Sequence, residues 1–257
     1  MSTTRIAVRG DGRRARIARL EAGRFVGPRP VSVDGTRVRI ALVGLCATLL
    51  AGDDVRIDID VGRGVQLDLI EPSGMVAYDA KGARSSWAGT ITVAEGSAVT
   101  WSCAPFVVAA GADTSRDFDI ELGPRAALLM RETLVLGRSR EVGGALRSRL
   151  RADHEGRPLL HEDLDLRDAA ARAAPGILGD NRVLGTVALL GVTPPSLVGT
   201  HETTLAGPGG LARALAVEAH HTQDRLDDTW WRWHRVVAEA STGGAQEEPG
   251  PVTAPAA

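Results

Sequence analysis

The chain has 257 residues, 44% of them hydrophobic, with 30 basic against 32 acidic residues and a formal net charge of -2. That is enough apolar material for one large core or two small ones, which excludes a disordered chain. No basic run is long enough to neutralise a phosphate backbone, so nucleic acid is not an expected partner.

Lys81 is the only lysine among the basic residues, a bias of composition from which no function follows. Two cysteines, Cys46 and Cys103, make no disulfide framework in a chain of this size and are expected to be core thiols in a reducing compartment. Arg13 and Arg14 stand together, but no apolar segment follows them, so a twin-arginine export signal is not expected. The longest apolar run, Ile40 to Ala51, is interrupted by Gly44 and Thr48 and is too short to span a bilayer. A soluble, cytoplasmic protein is the expectation.

From Val55 to about Leu166 the pattern is alternation. Val55, Ile57, Ile59 and Val61 stand against Arg56, Asp58 and Asp60, the mark of a half-buried strand. Gly62-Arg63-Gly64 then turns the chain, and Val65, Leu67 and Leu69 resume the alternation, so the pair reads as a hairpin. The unit recurs through Glu95-Gly96-Ser97, Gly123-Pro124 and His154-Glu155-Gly156. Turns roughly thirty residues apart suit a stacked β architecture, although a β-sandwich gives much the same signal.

The apolar content rises again at Val183, Val187 and Leu189, before Pro194-Pro195 stops the strand. After the breaker Gly207-Pro208-Gly209-Gly210, Leu211 to Ala219 is expected to be helical. Leu226, Trp230, Trp233 and Val237 fall on one face of a further helix, with Asp227, Asp228 and Arg232 toward solvent. The expectation is one domain over 1–240, with helices over about 211–240 and a disordered tail over 241–257.

Familiar catalytic signatures are absent: there is no phosphate-cradling glycine loop with Lys, no nucleophile elbow, no HExxH and no CxxC. His220 and His221 are adjacent and diverge on a helix, which argues against a shared metal, and His154 and His161 read as solvated turn residues. The carboxylates within strands are more informative. Glu132 lies between Leu128-Leu129-Met130 and Leu134-Val135-Leu136, and Glu162, Asp163 and Asp165 lie among Leu160, Leu164 and Leu166. A carboxylate there costs several kcal/mol unless paired, hydrated or metal-bound. Two readings stand: pairing with Arg or an outward-facing surface, or a polar interior path whose oxygen ligands hold a divalent cation weakly.

Leu49 to Asp53 with Val55 to Ile59, Pro72 and Tyr78, Trp101 with Gly111-Ala112, Glu132 to Arg138 with Gly144 to Leu150, and Trp231 with Arg235 stand in an order over about residues 45–236 that resembles the UreD (UreH) family of urease accessory proteins, as a divergent member. Leu49 to Asp53, followed by Val55 to Ile59, is similar to the family's Gly-Gly-Asp turn and the strand after it. Pro72 and Tyr78 fall in its Pro or Thr-rich segment, with Asp79 in place of an Arg, and Trp101 with Gly111-Ala112 match the segment closing in Gly-Ala. Glu132 to Arg138 is similar to the family's acidic residue, apolar run and Gly-Arg, followed in order by Gly144 to Leu150, Gly156, Leu159 to Glu162 and Leu164 to Leu166. Trp231 and Arg235 match the Trp and Arg of the C-terminal helix. Cys103, Ala104 and Pro105 stand where the family has Pro, Gln and an acid, the segment after Arg138 is shortened and leaves Glu141 where the family has Gly-Glu, and the terminal Pro-Arg-Ile-Trp is absent.

The resemblance implies a mainly β fold, a right-handed β-helix-like stack with C-terminal α-helices. It also implies a non-catalytic protein that binds UreF, which recruits the nickel-carrying GTPase UreG, the assembly docking on apo-urease. No tightly bound cofactor is implied, only Ni²⁺ in transit. Asp53, Glu132 and Glu162 are the candidate carboxylates of a nickel route. Arg138 is expected to pair with a buried acid, Tyr78 to be structural or partner-binding, and Trp231 and Arg235 to anchor the C-terminal helix to the β body. The alternatives are a β-helix polysaccharide-active enzyme, using clustered carboxylates, or a β-rich interaction module unrelated to urease.

Overall fold

A computed structural model describes residues 3–242. They form a mainly β body, a β-solenoid of about four turns, with a C-terminal helix. The strands are β1 (Thr3–Gly10), β2 (Ala15–Glu21), β3 (Val26–Asp34), β4 (Arg37–Gly44), β5 (Asp54–Val61), β6 (Gln66–Ile70), β7 (Met75–Ala77), β8 (Ser85–Val93) and β9 (Ala98–Ser102). They continue as β10 (Phe106–Val108), β11 (Asp113–Leu122), β12 (Ala127–Leu136), β13 (Ala145–His154), β14 (Arg157–Asp165), β15 (Val183–Leu190), β16 (Glu202–Thr204) and β17 (Gly209–Ala216). Two helices, α1 (Ala169–Arg172) and α2 (Ala219–Thr242), complete the fold.

Two sheets face each other. One has the order β14-β13-β11-β8-β5-β1-β2, and the other runs β16-β17-β15-β12-β9-β6-β4-β3. Strands β5, β8, β11 and β13 stack in parallel, Val55 beside Trp87, Trp87 beside Arg116 and Arg116 beside Ser148. Strands β4, β6, β9 and β12 do the same in the second sheet. A short third ladder, β7, β10 and the end of β12, closes one side of the coils.

The expected stack is therefore present, but its unit differs. The turn at Gly62-Arg63-Gly64 does not close a hairpin; it carries the chain from β5 in one sheet to β6 in the other, and the turns at Gly96 and Gly123-Pro124 do likewise. Alternation and a turn glycine are common to both arrangements, because each strand buries every second residue either way. Only the identity of the hydrogen-bonding neighbour separates them, and that neighbour lies a whole coil away. The turn at Gly156 is a true hairpin, with β13 and β14 antiparallel.

Leu211 to Ala219 is not the expected helix. Leu211 to Ala216 belong to β17, whose Leu211, Ala214 and Ala216 pair with β15, and the helix begins at Ala219. Ala-rich composition favours a helix locally, but here the small residues let a strand lie flat beneath α2. Leu226, Trp230, Trp233 and Val237 of α2 pack on Ala98, Ala127, Leu129, Val187, Ala212 and Ala214. A side chain at Gly185 would press its Cβ to 2.8 Å from Thr222, so glycine there sets how closely the helix approaches.

Trp231, expected to anchor the helix, is instead 59% exposed, with its ring 5.7 Å from that of His234. Arg235 is also exposed. Arg232, expected in solvent, turns inward: its guanidinium pairs with Glu202 of β16, which also accepts from Thr229 Oγ1 (2.5 Å) and from the amide of Val198 (2.9 Å). The Glu202 side chain is wholly buried. Burial works against its charge, but these donors outweigh it and hold the carboxyl below its ordinary value. The helix runs to Thr242, past the expected start of the tail, and from 243 onward that expectation lies outside the described residues.

Candidate functional site

The interior of the solenoid follows from the parity of each strand. On β12, Leu128, Met130, Leu134 and Leu136 face inward, and Glu132 shares their parity. On β11, Arg116 shares the parity of Phe118, Ile120 and Leu122. Both are buried, Arg116 to 2% and Glu132 to 8% exposure, and Arg116 Nε donates to Glu132 Oε1. The guanidinium carbon lies 4.1 Å from the ring centre of Trp87, 4.6 Å from Phe106 and 5.0 Å from Phe118.

Glu71 completes a charged cluster. It follows Ile70, which pairs with Ser102, which in turn pairs with Arg131; one residue further on, Glu71, Cys103 and Glu132 follow in the same order across the sheet. Glu71 accepts from Trp101 Nε1 at 2.9 Å and from the Ala104 amide at 3.2 Å. Burial is the largest influence on Glu71 and pushes its carboxyl up, against the attraction of Arg116. Burial, then Glu71, raises the Cys103 thiol well above its ordinary value, which keeps it protonated near neutrality. Burial opposes the Arg116 charge, but Glu132, Cys103 and Glu71 together raise its pKa.

The row continues across the second sheet. Glu132 pairs in register with Thr186, and Thr186 with Arg213. Arg213 Nη2 donates to Glu162 on the edge strand β14, which shares the parity of Leu160 and Leu164 and is half-buried, its side chain 30% exposed. Glu132, Thr186, Arg213 and Glu162 line one cavity of about 20 Å³, room for a single water. At the other end, Glu71 and Trp87 line a pocket of about 310 Å³ with Tyr78, Cys46 and Met75.

Of the sequence candidates, Glu132 and Glu162 are thus brought together, each paired with an arginine. Asp53 is not among them. Its Oδ2 accepts from the Leu50 amide at 2.9 Å, in the turn before β5, and it lines a separate surface pocket with Arg84 and Asp113. Tyr78 lies at the larger pocket's wall. Cys103 is a core thiol as expected, but Cys46 is exposed, and both are free. Among the described residues no three His, Cys, Asp or Glu side chains stand as a metal-holding group.

Arg138 does not pair with a buried acid. Its guanidinium, 56% exposed, binds Glu141 Oε1 at 2.9 Å (Nε) and 2.6 Å (Nη2). Gly137 makes that loop possible: its φ is 92°, and a Cβ there would lie 2.5 Å from the Glu141 carbonyl oxygen. The side-chain hydrogen bond from Arg138 is the main cause that lowers the Glu141 carboxyl from 4.5 to about 2. A depressed carboxylate stabilises above its unfolded pKa and loses that effect as pH falls through the folded one, so this loop is expected to loosen between pH 4.5 and about 2. A carbon-13 NMR titration of the Glu141 carboxyl checks it: the expected midpoint is near 2, moving toward 4.5 in Arg138→Ala.

Comparison with known proteins bears on the whole arrangement. The family model described as "UreD urease accessory protein" matches residues 3–244. The chain belongs to the UreD family. It is 48% identical over 231 residues to urease accessory protein UreD 1 of Streptomyces griseus, covering 90% of this chain and 91% of the relative. It is 34% identical to the UreD protein of Frankia alni over 234 residues, 81% of this chain and 77% of that one. UreD 2 of Saccharopolyspora erythraea is 31% identical over 211 residues, 76% and 74% of the two chains. The resemblance read from motifs over residues 45–236 was therefore right as to family, and the similarity extends through β1 to β4, which the motifs did not reach. As a UreD-family chain it has a role in urease maturation, and among its described residues no helix is long and apolar enough to cross a membrane.

Sequence reasoning missed Arg116, Glu71, Arg213 and Glu202. The first two were findable: Glu71 shares the parity of Leu67 and Leu69, as Arg116 shares that of Phe118. A charge on the apolar parity of a strand is the signal. Arg213 and Glu202 lay in segments whose element type was misread or unread.

Proposed function

We propose that this protein is a non-catalytic scaffold of urease maturation, which binds UreF, brings UreG to apo-urease through it, and lets Ni²⁺ pass along the interior row from Glu71 past Glu132 to Glu162. The single observation that carries the route is that Glu132, buried inside the solenoid, stands in one row with Glu71 and shares a small cavity with Glu162, whose side chain, 30% exposed, opens the row to water at its far end. A divalent ion in transit needs oxygen ligands that exchange, and a closed cage of His and Cys would hold it. Glu132 and Glu162 are each paired with an arginine in the metal-free protein, so passage there is an exchange of one cation for another, whereas Glu71 is held by the neutral donors Trp101 Nε1 and the Ala104 amide. Asp53, in its surface turn, is not part of this route.

The test is co-expression with urease and its other accessory proteins at limiting nickel. Glu132→Gln with Glu162→Gln is expected to reduce the nickel content and activity of urease by about tenfold or more, the effect of losing a charge-assisted contact of about 1.5–3 kcal/mol. Co-purification of UreF with the variant is expected to persist. Normal activation by the double variant removes the carboxylate route, and normal activation without the whole chain removes the maturation role.

A further inference from the structure

The row is closed at one point. Glu71 and Trp87 line the pocket of about 310 Å³ on one side, Glu132 lines the cavity of about 20 Å³ on the other, and Arg116 stands between them. A cavity with room for one water does not admit a divalent ion with its hydration shell. The guanidinium also puts a fixed positive charge, 2% exposed, where a cation would have to pass.

The surroundings give this side chain two holds of different kinds. One is Glu132, by an ion pair; the other is the aromatic box of Trp87, Phe106 and Phe118, whose ring faces attract a cation whether or not Glu132 is occupied. Trp87 and Phe118 hold each other at 4.8 Å between ring centres, and Trp101 stands nearly perpendicular to Phe118 at 86°, so the box has its own support.

We propose that Arg116 is the resident counter-cation and gate of the row: it occupies the place of the travelling divalent ion at Glu132, and yields it by letting go of the carboxylate while the rings of Trp87, Phe106 and Phe118, which already hold it, keep its charge in place. This rests on the interior route proposed above and adds what governs occupancy. A guanidinium beside Glu132 neutralises the carboxylate in the empty protein and repels an ion that lingers, so the chain passes metal without storing it. Arg116 is a positioning residue here, acting on the cargo through Glu132.

The test is equilibrium dialysis of the full chain against Ni²⁺ at pH 7.5, for the native protein, Arg116→Gln, Arg116→Lys and Arg116→Gln with Glu132→Gln. Gln can still donate to Glu132 but carries no charge. Arg116→Gln is expected to bind Ni²⁺ at least about tenfold more tightly than the native chain, whereas Arg116→Lys, keeping the charge, and the double variant, lacking the freed carboxylate, stay at the native level. A folded Arg116→Gln protein with no gain overturns the gate. A second measurement needs no variant: in the native chain, the Nε–H resonance of Arg116 is expected to shift when Zn²⁺ is added as a diamagnetic probe, and an unmoved resonance overturns the gate equally. If Arg116→Gln gains nothing while the Glu132 and Glu162 variant still impairs activation, the gate is wrong and the route stands. Normal activation by that variant means that the route itself is wrong.

Discussion

Replacing Glu132 by alanine is expected to lower stability by about 3–5 kcal/mol, the cost of leaving a buried charge without its partner. Arg116 cannot shed its proton and sits at 2% exposure among aromatic rings, so it has no route to water without opening the coil. Glu71 remains as a neighbouring carboxylate but is itself raised by burial and already accepts from Trp101 and Ala104. Urea unfolding followed by tryptophan fluorescence measures the change, since Trp87 and Trp101 flank the pair. The added variant Arg116→Met is expected to recover most of the loss, because a long apolar side chain fills the same aromatic box. The double-mutant cycle then reads the coupling directly. A cost below about 1 kcal/mol, the range of exposed pairs, would show that Arg116 finds another partner.

A second large effect is expected at the other core. Trp233 is fully buried between α2 and the small residues of the second sheet, with its ring near Gly210. Trp233→Ala is expected to cost about 3–5 kcal/mol, through lost transfer energy and the cavity left behind. Trp231→Ala, two positions earlier on the exposed face, is expected to change stability by less than about 0.5 kcal/mol. Chemical denaturation of both variants checks the contrast. Equal effects would mean that α2 seats on a different face. Glu202 adds a polar tie on the same helix, since Arg232 and Thr229 both donate to it from α2.

Strand parity decides more of this site than motif order does. Leu160, Glu162 and Leu164 share one side of β14, and Asp163 and Asp165 the other, where they meet Arg147 and Arg167. Reading the carboxylates as a group concealed that difference; reading them by parity separates the half-buried Glu162 from its two outward neighbours. The motif at Glu132 to Arg138 likewise contains two unrelated environments. Glu132 is buried within a parallel stack, whereas Arg138 sits beyond the end of β12 in an exposed loop shaped by Gly137. A conserved-looking string of residues carries no information about which of them share a space.

By itself the amino-acid order determined the alternation of the coils, the apolar face of α2 and the membership of the UreD family, because each is a property of residues near one another in the chain. Tertiary structure alone decided that β5 and β6 lie in opposite sheets, that Leu211 to Ala216 are a strand beneath a helix, and that Arg116 meets Glu132 and Glu71. The physical reason is that parallel stacking joins residues about thirty positions apart, and the free energy of a buried charge depends on partners supplied by other coils. Local pattern shows which way a side chain points, and only the stacked sheets show what it meets there.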